Sequence, residues 1–162
     1  MIDTIKNIPD VKIKIVENGN IIETTSRLIC ENKKVVIFGV PGAFTSTCSI
    51  KHFPSYIENV NNFKKKGIDK IFCLSVNDPS VMKAWQSQYS GGDMITMIAD
   101  GNGDLTKTLE LDQDYSSSFM GVRSKRFALV ANNNKVILLC VESPKEFKVS
   151  SAFFCSADAL KP

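Results

Sequence analysis

The sequence predicts an α/β fold, one sheet with helices packed on both of its faces. Three observations carry this. Short apolar runs, Val35–Val40, Lys70–Val76 and Met94–Ala99, recur between longer stretches with helical spacing of apolar residues. Each run ends in turn chemistry: Pro41-Gly42, Asn77-Asp78-Pro79 and Asp100-Gly101-Asn102-Gly103. The order strand, helix, strand, helix, strand, then two further β-rich runs, is the signature of helices layered on a sheet. At 162 residues the chain has the length of one domain, residues 1–162, and enough to bury a core without disulfides.

In chain order, Val11–Val16 alternates apolar residues with lysines, as a half-exposed strand should. Asn18-Gly19-Asn20 signals a turn, and Ile21–Thr25 returns as the hairpin partner. Ser26 is placed to cap a short helix through Cys30. Val35–Val40 is short, continuous and rich in β-branched residues, which predicts a strand buried on both faces. Pro41-Gly42 stops it, and Thr45-Ser46-Thr47 is the kind of polar cluster that starts a helix. From Ser49 the apolar residues Phe53, Tyr56, Ile57, Val60 and Phe63 share one helical face, and Lys64-Lys65-Lys66-Gly67 closes the helix.

Lys70–Val76 reads as the next buried strand, followed by a helix capped by Asp78 with Pro79 first. That helix carries Val81, Met82, Trp85 and Tyr89 toward the sheet and stops at Ser90-Gly91-Gly92. Met94–Ala99 is a strand and Asp104–Leu109 a short helix. Phe127–Ala131 and Lys135–Val141 form a hairpin across Asn132-Asn133-Asn134, and a terminal helix is expected from about Ser150.

Composition excludes several function classes. A net charge of +3 from scattered lysines gives no basic patch for nucleic acid; Lys64–Lys66 reads as a solvated helix end. No apolar run approaches a membrane span, and the N-terminus lacks the pattern of a signal peptide. There is no Gly-rich phosphate loop, so nucleotide binding has no support, although element order alone also allows a small flavodoxin-like sheet. Five cysteines, Cys30, Cys48, Cys73, Cys140 and Cys155, lack metal spacing and a CxxC pair. Their odd number and scatter predict a reducing, cytoplasmic setting.

One cysteine is different by position. Cys48 falls in the first turn of a helix at the carboxyl end of a buried strand, where free N–H groups and the helix dipole favour a thiolate. Position alone leaves open the plainer role of a small buried apolar residue. The string Phe38–Ser49 with Pro41, Thr45 and Cys48, followed by His52-Phe53-Pro54, closely resembles the active-site loop of peroxiredoxins, most of all the peroxiredoxin 5 (type II, atypical two-Cys) subfamily. Further blocks of resemblance follow in order at Cys73–Pro79, Ala99–Gly103 and Gly121–Phe127.

The resemblance implies a thioredoxin-like fold with a central mixed sheet, a homodimer packed near the active-site loops, and reduction of hydrogen peroxide or alkyl hydroperoxides without metal, flavin or haem. Cys48 is then the nucleophile that becomes a sulfenic acid. Thr45 has a hydroxyl able to orient peroxide, and Pro41 packs against the sulfur. The essential arginine of the family precedes the aromatic residue that starts a strand, which maps to Arg126 before Phe127. Arg123 is left as an auxiliary or solvent-facing residue. His52, the only histidine, lies one helical turn after Cys48 and is expected at the pocket, at the dimer interface or in a simple structural role. Phe44 and Trp85 read as pocket wall or interface.

Two departures bear on mechanism. Ser46 stands where the family usually has proline. The segment Lys148-Val149-Ser150-Ser151 has serines where some animal members carry the resolving cysteine. Cys155 and Cys73 are the candidates left for that role, with Cys73 inside a strand that reads as core. Recycling by glutathione or glutaredoxin is therefore favoured over thioredoxin acting through an internal disulfide. Two other functions fit the same sequence: a redox sensor or relay signalling through Cys48, and a non-catalytic binding module.

Overall fold

The computed structural model describes residues 5–143 and 146–152. The chain enters through a hairpin of β1 (Lys12–Glu17) and β2 (Asn20–Thr25). Asn18 and Gly19 form its two-residue turn with positive φ at both positions, the geometry Asn-Gly supplies at least cost. A short helix α1 (Ser26–Cys30) follows, one position off the expected capping: the Thr25 hydroxyl accepts from Leu28 N, while Ser26 Oγ bonds Pro9 O and Val11 N. Next come β3 (Lys34–Gly39), a π-helical turn (Cys48–His52) and α2 (Phe53–Lys65). The chain continues through β4 (Lys70–Ser75), α3 (Pro79–Ser87), β5 (Thr96–Ala99) and α4 (Asp104–Thr108). Asp78 caps α3 through Val81 N, and Pro79 fills its first position. A small hairpin, β6 (Asp112–Asp114) with β7 (Val122–Ser124), precedes β8 (Phe127–Asn132) and β9 (Lys135–Val141).

Seven strands form one mixed sheet in the order β2-β1-β5-β4-β3-β8-β9. The pairs β3–β4 and β4–β5 are parallel, and the remaining pairs antiparallel. Period-two alternation splits β3 between two cores. Val36 and Phe38 pack with Phe53, Tyr56, Val60 and Phe63 of α2 and with Met82 and Trp85 of α3. Val35 and Ile37 pack on the other face with Ile29 and Cys30 of α1 and with Leu105 and Leu109. Helices on both faces of a mostly apolar central sheet are what the buried strand runs require.

The expected strand boundaries hold to within two residues, and Asn133 and Asn134 turn the last hairpin with positive φ. Two features escape the periodicity: the β6–β7 hairpin, too short and polar to signal itself, and the π turn. The terminal helix expected from about Ser150 lies largely outside the described residues, as does Cys155.

Gly39 is where β3 meets the residue after Arg126. It pairs with Phe127, and a Cβ there would sit 2.0 Å from Phe127 Cε1, inside a buried ring. Gly39→Ala is expected to cost about 1–3 kcal/mol by overpacking, read as a lower urea midpoint at unchanged slope.

Candidate active site

The site is built where β3 ends. Val40 N still bonds Leu74 O of β4, so the sheet holds the chain up to Pro41. The loop after it is pinned from three sides. Ala43 N donates to Asn77 Oδ1, which also receives the Ser75 hydroxyl; Arg123 Nη1 donates to Pro41 O at 3.3 Å; and Thr45 Oγ1 donates to Gly42 O at 2.7 Å. Gly42 is close-packed: a Cβ would lie about 3.0 Å from Arg123, Thr45 and Met120 side-chain atoms. Phe44 sits at φ 62°, an uncommon backbone for a bulky residue, with its ring half exposed.

Thr45 begins the helix through its carbonyl, which accepts from Ser49 N, and not through its hydroxyl. Ser46 is exposed in the first helical turn, where proline would have no N–H to lose and would fix φ. The Cys48–His52 turn closes with Phe53 N donating to Cys48 O, a wider ring than the α-helical one. Trp85 Nε1 and Tyr89 OH bond Ser49 Oγ and O, tying this turn to the α3 end of the core. Trp85 is thus fully buried packing against Phe53.

Cys48 and His52, four residues apart, both face Arg126. Arg126 Nη2 donates to Cys48 Sγ at 3.3 Å and Nη1 to His52 Nδ1 at 2.9 Å. A guanidinium has only donors, so His52 Nδ1 must accept, which puts the ring proton on Nε2. Nε2 then donates to Ser150 O at 3.1 Å, an oxygen that Tyr56 OH also reaches at 2.8 Å. Phe147 covers the pair, 4.9 Å from the His52 ring and 6.0 Å from the guanidinium carbon. Burial, and then the Arg126 charge, hold His52 well below its ordinary value of 6.5 and keep it neutral.

That shift has a stability consequence. Between the depressed folded value and 6.5 the unfolded chain binds the extra proton, so stability falls as pH drops through this window and is unaffected above it. Wild type is expected to lose up to about 1.4 kcal/mol per pH unit there relative to His52→Gln, measured by urea unfolding at pH 7.5, 6 and 5.

Arg126, not Arg123, reaches the sulfur. Arg123 nonetheless does not face solvent freely: it is half-buried and clamps Pro41 O and Met120 O. Cys73 is fully buried in β4, opposite Phe38, and burial pushes its thiol up strongly, with the nearby Cys48 adding to this. Cys30 is buried on the other face, its thiol pushed up to about 12. Cys48 is fully buried too; its neighbour Thr47 and its partner Arg126 line a cleft of about 120 Å³ together with Pro41, Tyr115, Lys125 and Glu142. A larger groove of about 470 Å³ lies at Lys12, Glu23, Asp78 and Asp100 and contains none of these residues. Asn77, Tyr115, Glu142, Phe147 and Ser150 were not singled out for the site by the sequence. An isolated aromatic in a polar stretch was the one available signal for Phe147.

Among the described residues no group of three or more His, Cys, Asp or Glu side chains could hold a metal, and no helix is long and apolar enough to cross a membrane.

A strand-to-helix cysteine facing an arginine, on this mixed sheet, defines a class of thioredoxin-like redox proteins. The Redoxin family model matches residues 6–153. The chain is 47% identical over 146 residues to peroxiredoxin-2B of Arabidopsis thaliana, with 90% of each protein covered. Among solved structures it is similar to reduced Prx3 of Vibrio vulnificus in complex with hydrogen peroxide (TM-score 0.91, 40% identity, 99% of this chain and 100% of that one). It is also similar to peroxiredoxin 5 of Alvinella pompejana (TM-score 0.82, 29% identity, 96% of each chain). The chain belongs to the Redoxin family and, within it, to the peroxiredoxins. It is a thiol-dependent peroxidase, an oxidoreductase that acts on peroxides and draws electrons from thiols.

Proposed function

We propose that Cys48 is the nucleophile of this peroxidase, with Arg126 as its charge partner. The 3.3 Å contact between Arg126 Nη2 and Cys48 Sγ carries the reading. A fixed guanidinium beside the sulfur stays in place to stabilise negative charge as it moves from sulfur to oxygen. The thiolate attacks the nearer peroxide oxygen, the O–O bond breaks, and hydroxide or alkoxide departs and is protonated. Sulfur is oxidised to the sulfenic acid and the peroxide is reduced to water or an alcohol. With its own proton committed to Gly42 O, the Thr45 hydroxyl serves as acceptor for the peroxide O–H. Pro41, having no N–H, lines the cleft without competing for the sulfur.

Recycling is assigned to an external thiol, glutathione or a glutaredoxin. Support comes from Cys73, which is fully buried in the sheet and held as thiol, so it resolves Cys48 only if β4 opens. Thioredoxin acting through an internal disulfide is the second route, and Cys155 lies outside the described residues. A reducing compartment, the cytoplasm, suits such a cycle. The reading includes a homodimer, supported by Phe44, Ile50, Phe119 and Val122. These apolar side chains are all exposed, Phe119 almost completely, and three of them lie on the two segments that meet at Gly42.

The test is steady-state peroxide reduction with glutathione and glutaredoxin against thioredoxin and its reductase. Turnover with glutathione is expected to survive Cys73→Ser within about twofold, as for a near-isosteric change at a residue that takes no part in the chemistry. Loss of turnover in that variant would assign resolution to Cys73 instead.

A further inference from the structure

Arg126 is held at both ends by one polar circuit, and its far side is a carboxylate with no place in the chemistry above. Glu142 N donates to Arg126 O at 2.9 Å, so the two residues are paired one step beyond Phe127↔Val141. The Glu142 side chain is buried, and its Oε1 accepts from Lys148 N at 2.5 Å, Ser150 N at 2.8 Å and Ser150 Oγ at 2.9 Å. Those three bonds fix the segment that presents Ser150 O to His52 Nε2 and the Phe147 ring to His52 and Arg126. His52 Nδ1 in turn receives Arg126 Nη1, leaving Nη2 for Cys48.

We propose that Glu142 is a positioning residue for the peroxidase reaction, acting through Ser150 and His52 to aim the Arg126 guanidinium at Cys48. The physical case is one of hydrogen-bond accounting. Without the carboxylate three donors lose their acceptor, and Lys148 and Ser150 lose the bonds that tie them to the residue following β9. Ser150 O then no longer waits at a fixed point for His52 Nε2–H. The imidazole is freed to take its other tautomer, in which Nδ1 carries the proton and faces a guanidinium that has nothing to offer but donors. Arg126 must then turn away from one of its two partners. A carboxylate accepting several N–H bonds positions a loop more firmly than a neutral acceptor does.

The proposal rests on the assignment of Arg126 to Cys48 made above. Its test is the second-order rate of the first peroxide reaction in the full chain, followed by stopped-flow Trp85 fluorescence, for Glu142→Ala, Glu142→Gln, Glu142→Asp and His52→Asn. Glu142→Ala is expected to slow the reaction about tenfold, and Glu142→Gln, which keeps the length and the acceptor oxygen, less than threefold. Glu142→Asp keeps the charge but is one methylene short, and falls with Ala; it also serves if Ala does not fold. Glu142→Ala combined with His52→Asn is expected to be no slower than His52→Asn alone, because both break one circuit. A folded Glu142→Ala or Glu142→Asp protein within twofold of wild type, or effects that multiply in the double variant, would overturn the proposal. Failure of the underlying reading looks different: Arg126→Gln would then itself react at the wild-type rate.

Discussion

Cys48→Ser is expected to abolish thiol-supported peroxide reduction, by at least roughly three orders of magnitude, while leaving the fold intact. Serine is close in volume, and the position is fully buried at the start of the π turn, so no cavity opens. The hydroxyl can still accept from Arg126 Nη2, which keeps that donor satisfied. What is lost is the sulfur that Arg126 faces, the atom proposed to be oxidised and then re-reduced by a thiol. A coupled assay of peroxide consumption reads the loss, and circular dichroism checks the fold. A binding module with no catalytic cysteine would lose nothing in this variant.

The second largest effect is expected at Arg126. Arg126→Gln should lower the rate constant for peroxide by roughly 10²–10³-fold, the cost typical of removing a fixed charge donor from a developing anion. Arg126→Lys is not a conservative exchange here. The two Nη atoms serve different partners, Sγ and His52 Nδ1, and a single ammonium on a flexible stem cannot span both. It should retain the charge yet remain at least about tenfold slower than wild type. By contrast Arg123, which binds the carbonyls of Pro41 and Met120, should affect loop order more than chemistry. Pre-steady-state kinetics of both variants, with substrate in excess, separates these cases from a slower recycling step.

Most of the fold was legible because its strands are buried on both faces. Val35–Val40 and Lys70–Val76 are continuous apolar runs, and Asp78-Pro79 writes a helix start into the sequence. The mixed order, with β1 antiparallel beside β5 and β8 antiparallel beside β3, depends on which edge each hairpin joins, and periodicity says nothing about that. At the site, the pairing of Cys48 with Arg126 was implied by the resemblance to peroxiredoxins, whose essential arginine maps to the residue before Phe127. The role of His52 as the link between Arg126 and Ser150 was not, because it requires a contact across 98 residues. Glu142 has no local signature for the same reason, and Phe147 shows only as an isolated aromatic: their partners are set by how β9 returns along β8. Thr45 belongs to the polar cluster expected to start the helix; it does so through its carbonyl, while its hydroxyl turns back to Gly42 O, a contact the local sequence does not signal.

The most direct test is mass spectrometry of the reduced protein after one equivalent of hydrogen peroxide, with and without glutathione. The expected result is a single oxygen added at Cys48, trapped as a sulfenic acid, which converts to a glutathione adduct when the thiol is present. An unmodified Cys48 thiol, with peroxide left in solution, would contradict the assignment of the nucleophile.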